Sequence, residues 1–282
     1  MLVRVDYNVP MAEENGVMVI NDDTRIRATL PTLQALIGAG ARVALTAHLG
    51  RPKGERVPSM SLRPVAAKLG ELLGQPVAFC ELFVGEAAAT AVNELADGEV
   101  VLLENVRYHS EEEANDDTFS AELAELADCY VNDAFGAAHR AHASTAGVAG
   151  VIAGRGGQCG AGLLMQRELQ FLGDELDAPA GPFVVILGGA KVSDKILLIK
   201  NMLSKVDKMI IGGGMANTFL YAQGIAVGAS LCEQDLADTA REILAQAEKQ
   251  DCRIVLPVDA VVAAKFEAGA AIETVALDAV PD

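Results

Sequence analysis

Short apolar segments of strand length alternate with stretches of helical periodicity from the first residues onward. The alternation pauses at a Gly- and Ala-rich stretch, then restarts after Pro179 and Pro182 with fewer strands. These observations predict an α/β protein of two Rossmann-like three-layer domains with mostly parallel sheets, joined by a hinge helix, the second domain incomplete. The bounds read as 1–155 for the first domain, 156–176 for a linker and inter-domain helix, and 177–282 for the second. A chain of 282 residues with 51% hydrophobic residues is long and apolar enough for two cores.

Leu2 to Val9 alternates and stops at Pro10, as a strand running into a loop does. Asp22, Asp23 and Thr24 offer N-caps to a helix through about Gly38, with Leu30, Leu33, Leu36 and Ile37 on its inner face. Arg42–Thr46 is a short strand that leaves through the loop HLGRPKG (48–54). A helix over Ser61–Leu73, a strand over Pro76–Cys80 and a helix over Glu86–Leu95 follow. The strand Val100–Leu103 runs into ENVRYH (104–109), and after a helix over Phe119–Ala127 the strand Tyr130–Asn132 runs into DAFGAAHRAH. Gly147–Gly162, punctuated by GRGG and GAG, reads as the way out of the first domain, and Leu163–Leu176 as one connecting helix. The second series is strand Phe183–Leu187, loop GGAKVSDK (188–195), helix to about Leu203, strand Lys208–Ile211, loop GGGMAN (212–217), helix Gln234–Gln250 and strand Arg253–Leu256. A further apolar segment precedes Asp282.

The formal net charge of −17 argues against wrapping nucleic acid or lying on an anionic membrane, and leaves room for a local basic site that takes a small anion. The five cysteines are scattered without a C-x-x-C pair or zinc spacing, as free thiols of a reducing compartment are. The start LVRVDYNV has neither a charged n-region nor an apolar h-region, and no apolar run approaches a membrane span. A cytoplasmic monomer with small-molecule partners is the expectation.

In open α/β sheets ligands sit beyond the carboxyl ends of the strands. On the coarse map Asp6 and Asn8 follow the first strand, His48 and Arg51 the second, Arg107 the fourth, and His139, Arg140 and His142 the fifth. An acidic chain that brings arginines to one sheet edge builds a positive site against its own charge, and the planar guanidinium holds phosphate or carboxylate by two bonds. Any one of them could instead pair with a nearby carboxylate such as Glu104 or Glu111. The stretch Val131–Thr145, VNDAFGAAHRAHAST, reads as a wall of that site, although Asp133 also suits a turn and Ser144 and Thr145 a helix cap. In the second domain GGAKVSDK puts glycines at a strand end and Lys191 and Lys195 one helical turn apart, suited to a phosphate chain at a helix start. It is not a Walker A loop, and GGGMAN lacks the third glycine of the dinucleotide fingerprint, so an NAD-linked oxidoreductase is set aside. For the triple glycine a tight turn with close packing is the ordinary alternative.

The stretches VRVDYNVP, DDTRIRA, HLGRPKG, LLENVRYH, YVNDAFGAAHRAHAST, LGGAKVSDK and IGGGMANTFL, in this order, resemble phosphoglycerate kinase from about residue 2 to about residue 265. The resemblance implies a hinged enzyme that moves a phosphoryl group between ATP and the carboxylate of 3-phosphoglycerate, giving ADP and 1,3-bisphosphoglycerate, with Mg-ATP or Mg-ADP as the nucleotide. By motif it implies that Asp6 and Asn8 contact the hydroxyl and carboxylate end of the glycerate. His48 and Arg51, with Leu49 and Gly50 of the same loop, then hold its phosphate together with Arg107 and Arg140. Arg25 and Lys191 are the implied catalytic residues at the phosphoryl group in flight. Lys195 is implied to hold nucleotide phosphate, and Gly212, Gly213 and Gly214 to line the nucleoside side. His139 and His142 take supporting roles.

The family's W-N-G-P stretch and the G-G-G-D-T stretch that supplies a magnesium carboxylate do not occur in this sequence. No metal ligand is therefore assigned, and the chain alone is expected to turn over little or nothing. The competing reading is a non-catalytic metabolite-binding fragment that keeps the glycerate domain.

Overall fold

The structure, a computed structural model, describes residues 1–174, 176, 179–265 and 267–281. It divides into two compact units, Met1–Asp174 and residues 175–282. Among the described residues no helix is long and apolar enough to cross a membrane.

The first unit holds β1 (Leu2–Val5), β2 (Met11–Glu14), β3 (Val17–Ile20), β4 (Val43–Thr46), β5 (Val77–Cys80), β6 (Val100–Leu103), β7 (Tyr130–Asp133) and β8 (Cys159–Ala161). Six of these form one parallel sheet in the order β5-β6-β4-β1-β7-β8. Successive side chains of a strand point to opposite faces, and here each face has its own core. Leu2, Val101, Leu103, Phe119 and Ile152 pack in one, and Val3, Val5, Leu33, Leu45 and Leu102 in the other. Because β1 is flanked by β4 on one side and β7 on the other, the chain reverses its direction of travel across the sheet at β1. Such a switch point opens a crevice at the carboxyl edge.

The strand expected over Leu2–Val9 ends at Val5. Asp6 Oδ1 accepts from Asn8 N at 3.3 Å and Tyr7 O accepts from Val9 N at 2.8 Å, so the chain turns at once, although Tyr7 and Val9 stay buried and keep the alternation going. Beyond it lies a hairpin, β2–β3, where the sequence reading had only a loop. Its turn is Asn15–Gly16 with φ of 53° and 79°, the left-handed pair that Asn-Gly provides at a two-residue hairpin. The helix Thr24–Gly38 buries Ile26, Thr29, Thr32 and Leu33, a face rotated from the expected one, with Leu30, Leu36 and Ile37 half-buried.

The Gly- and Ala-rich stretch is no linker. It contains the helix Val148–Gly154 and the edge strand β8, paired in parallel with β7. Its glycines serve close packing: a Cβ on Gly157 would lie 2.5 Å from the Asp128 carbonyl oxygen, and one on Gly162 would lie 2.2 Å from Asp133 Oδ1. The connecting helix is α-helical over Leu163–Leu169 and π-helical over Gln170–Asp174; residues 175, 177 and 178 of that region lie outside the described residues.

The second unit carries β9 (Val184–Gly188), β10 (Lys208–Gly212) and β11 (Arg253–Val255), parallel and in the order β11-β10-β9. Met209, Ile211, Phe219 and Ile243 pack in its core. The final apolar segment is a hairpin of β12 (Asp259–Ala263) and β13 (Ile272–Ala276), which sequence patterning did not separate into strands. The expected loop over 212–217 is shorter than read, because a helix starts at Gly214 and runs to Ala222.

Candidate functional site

At the carboxyl edge of the six-stranded sheet, Asp6, Asn8, Arg25, His48, Gly50, Arg51, Arg107, Gly136, Ala137 and Arg140 line one cavity of about 330 Å³. The residues arrive from the segments that follow β1, β4, β6 and β7, with Arg25 added from the first turn of the helix Thr24–Gly38. Asn8 Oδ1 accepts from Gly50 N at 2.8 Å, and Arg107 Nη1 donates to Gly50 O at 3.0 Å, so three of these loops are tied at one glycine. Gly50 has φ of 64°, a conformation glycine adopts without strain.

Leu49 does not line the cavity. Its side chain is in the core, while its N–H and C=O are bonded to the Asn105 amide at 3.2 and 2.7 Å. That amide fixes the backbone from which His48 and Gly50 project.

Of the two carboxylates named as possible arginine partners, neither holds one. Glu104 accepts from Ser61 Oγ, Leu62 N and Asn105 N at 2.7, 2.9 and 2.8 Å, and Glu111 lies by His109. Arg25 Nη1 instead donates to Asp6 Oδ2 at 2.8 Å, and Arg107 Nε is 3.2 Å from Glu113 Oε1 without hydrogen-bond geometry. Among the described residues Arg51 and Arg140 have no ion pair. Burial pushes the Arg107 guanidinium below its ordinary value. Burial, then the charges of Arg4 and Arg107, push His48 down to about 2, so its ring is neutral at every physiological pH. Burial is the larger cause, and the guanidinium groups around the ring act in the same direction.

The stretch Val131–Thr145 divides. Arg140, Gly136 and Ala137 reach the cavity. Asp133 turns away: buried, it accepts from Leu164 N and Met165 N at 3.0 and 3.1 Å, at the start of the helix Leu163–Leu169. Thr145 Oγ1 accepts from His142 N at 3.0 Å, a local cap, while exposed His139 accepts from Arg140 Nε at 3.1 Å through Nε2. His142 Nδ1 is 3.7 Å from the buried Glu112 carboxylate. Sequence reasoning missed Arg4, Glu112, Gly136 and Ala137. A charged residue at an inward position of the apolar strand LVRV was the one signal for Arg4.

In the second unit Gly213 lines a cavity of about 280 Å³ with Ala216, Asn217, Leu220, Val261 and Val280. Lys191, Lys195, Gly212 and Gly214 are not in its lining. The helix start that sequence reasoning left open to a phosphate chain is occupied by a side chain: Val192 N and Ser193 N donate to Glu233 Oε2 at 2.7 and 3.0 Å. The close-packing account of the triple glycine holds at two positions. A Cβ on Gly213 would lie 2.9 Å from Gly189 O, and one on Gly214 would lie 2.9 Å from Ala190 O. Among the described residues no group of three or more His, Cys, Asp or Glu side chains is placed to hold a metal ion.

Fold and cavity define an α/β protein with an arginine-lined polar pocket at the switch point of a parallel sheet. The family model described as phosphoglycerate kinase matches residues 1–282. The chain is 56% identical over 281 residues to the phosphoglycerate kinase of Methylorubrum extorquens strain PA1 and 54% identical over 282 residues to that of Synechococcus elongatus, in each case over 100% of this chain and 68% of the relative. The solved phosphoglycerate kinase of Coxiella burnetii superposes with a TM-score of 0.80 at 40% identity, over 99% of this chain and 68% of that one. That of Pyrococcus horikoshii OT3 gives 0.75 at 32% identity, over 98% and 68%. The chain belongs to the phosphoglycerate kinase family.

Proposed function

We propose that the first unit is the 3-phosphoglycerate (or 1,3-bisphosphoglycerate) site of a reversible phosphoryl transfer with ATP and ADP, and that the second unit is part of the site for the magnesium nucleotide. The observation that carries the reading is the convergence of Asp6, Asn8, Arg25, His48, Arg51, Arg107 and Arg140 on one cavity of a family member. Asp6 and Asn8 suit the hydroxyl and carboxylate end of a glycerate; His48, Arg51, Arg107 and Arg140 suit its phosphate. The acceptor carboxylate is ionised at neutral pH and attacks phosphorus without a general base. Protein groups then have only to position donor and acceptor and to stabilise charge on the moving phosphoryl group. Arg25 and Lys191 are assigned that last task, Lys195 nucleotide phosphate, and Gly212, Gly213 and Gly214 the nucleoside side.

The 282-residue chain lacks the G-G-G-D-T stretch, and no carboxylate cluster takes its place among the described residues. Magnesium in such sites is held by one or two protein carboxylates together with the nucleotide phosphates, so without the carboxylate the protein loses most of its affinity for the magnesium nucleotide. The chain by itself is therefore expected to bind 3-phosphoglycerate weakly and to turn over little or nothing. Calorimetry with 3-phosphoglycerate and a coupled ATP assay test both parts. No saturable binding removes the glycerate assignment, and robust turnover removes the expectation of inactivity.

A further inference from the structure

Behind the cavity wall lies a guanidinium that is not part of its lining. Arg4, on β1, is 1% exposed, and Glu112 is 0% exposed. Arg4 Nε donates to Ser144 Oγ at 2.9 Å, and that hydroxyl donates to Glu112 Oε1 at 2.6 Å, while Ser144 N donates to Glu112 Oε2 at 2.8 Å. Two buried charges are thus joined through one hydroxyl, so neither is left uncompensated. Arg4 Nη1 donates to the Val5 carbonyl, and Nη2 lies 2.9 Å from His48 Nδ1.

A guanidinium has donors only. The contact is a hydrogen bond only when His48 Nδ1 presents its lone pair, and a neutral imidazole then carries its proton on Nε2. His48 lines the cavity, and the charged or titratable groups that act on it are Arg4, Arg107, Arg25 and His142. All of them disfavour an imidazolium.

We propose that Arg4 is a positioning residue: anchored by Ser144 and Glu112, it fixes His48 as the neutral Nε2–H tautomer. The wall therefore offers an anion an uncharged hydrogen-bond donor in place of a base or a cation. The identity of the anion rests on the glycerate reading; the tautomer rests on the Arg4–His48 contact alone.

The test is long-range proton–nitrogen NMR of the 15N-labelled chain, with His48 assigned by the signals that vanish in His48→Asn. Expected are an unprotonated Nδ1 and a protonated Nε2, unchanged between about pH 8 and pH 5, a range in which an ordinary histidine titrates. Arg4→Lys keeps a donor for Nδ1 and preserves the pattern. Arg4→Met combined with Glu112→Gln removes both buried charges together. In that variant His48 is expected to populate both tautomers and to titrate, and 3-phosphoglycerate to bind roughly tenfold more weakly. A proton on Nδ1 in the wild-type chain, titration of wild-type His48 in that range, or a double variant with the wild-type spectrum overturns the proposal. The wild-type spectrum decides it even if the double variant does not fold. If His48 behaves as expected and 3-phosphoglycerate does not bind, the glycerate reading fails while the Arg4–His48 assignment stands.

Discussion

Arg25 Nη1 and Asp6 Oδ2 meet at 2.8 Å at the rim of the cavity, with the arginine side chain half exposed. An exposed pair of this kind contributes little stability, so the arginine is restrained without being locked. In an active enzyme made by joining this chain to the part of a relative beyond its match, Arg25→Ala is expected to lower kcat about a thousandfold or more, the scale of an arginine that stabilises a transferring phosphoryl group. The KM for nucleotide should move far less. Equal and small effects on both in steady-state assays count against the role.

Arg140 and Arg107 are expected to carry phosphate affinity. A charge-assisted bond is worth about 1.5–3 kcal/mol, so Arg140→Ala should weaken 3-phosphoglycerate roughly 10- to 100-fold by calorimetry with little change in stability. Arg107→Ala should weaken it at least as much and also loosen Gly50, whose carbonyl it holds at 3.0 Å. Unchanged binding in Arg140→Ala would place the phosphate elsewhere.

His48 predicts how stability depends on pH. The unfolded chain takes up a proton below the ordinary value of 6.5, whereas the folded chain resists until about 2. The contribution is fully present above that ordinary value and is lost as pH falls, by about 1.4 kcal/mol per pH unit. Denaturant midpoints of wild type and His48→Asn, whose amide oxygen can still accept from Arg4, should draw together between about pH 6.5 and pH 5. Parallel curves would show that His48 titrates normally in the fold.

Two adjacent glycines give a matched pair. Gly213 has φ of 69° and faces backbone at 2.9 Å, whereas a Cβ on Gly212 meets nothing within 4 Å. Gly213→Ala should cost about 1–3 kcal/mol, and Gly212→Ala should be near neutral. Chemical denaturation of the two variants, followed by a probe in the second unit, makes the comparison.

The edge to which the site residues come was legible because all but Arg25 follow a strand of a parallel sheet, and that topology leaves few choices for where loops meet. Asn15–Gly16 carried a hairpin signal that was read as ordinary loop. The stretch 147–162 was misread because glycine marks close approach as readily as flexibility; Gly157 and Gly162 sit against backbone and a buried carboxylate. Glu112 left no trace, since the run SEEEA looks like the solvated first turn of a helix. Its carboxyl, pushed up by burial but pulled down more strongly by His142, Arg4 and Ser144, depends on partners far away in sequence. Glu233 is a similar case, occupying a helix start 40 residues before it.

The three-stranded sheet of the second unit has a practical corollary. Val184 and Ile186 on β9 are 41% and 74% exposed, and Val261 and Ile272 of the β12–β13 hairpin are 65% and 71% exposed. Bare apolar rows beside an open strand edge are sticky. Preparations of this polypeptide should therefore lose monodispersity as they are concentrated, and light scattering before each titration becomes part of measuring its affinity at all.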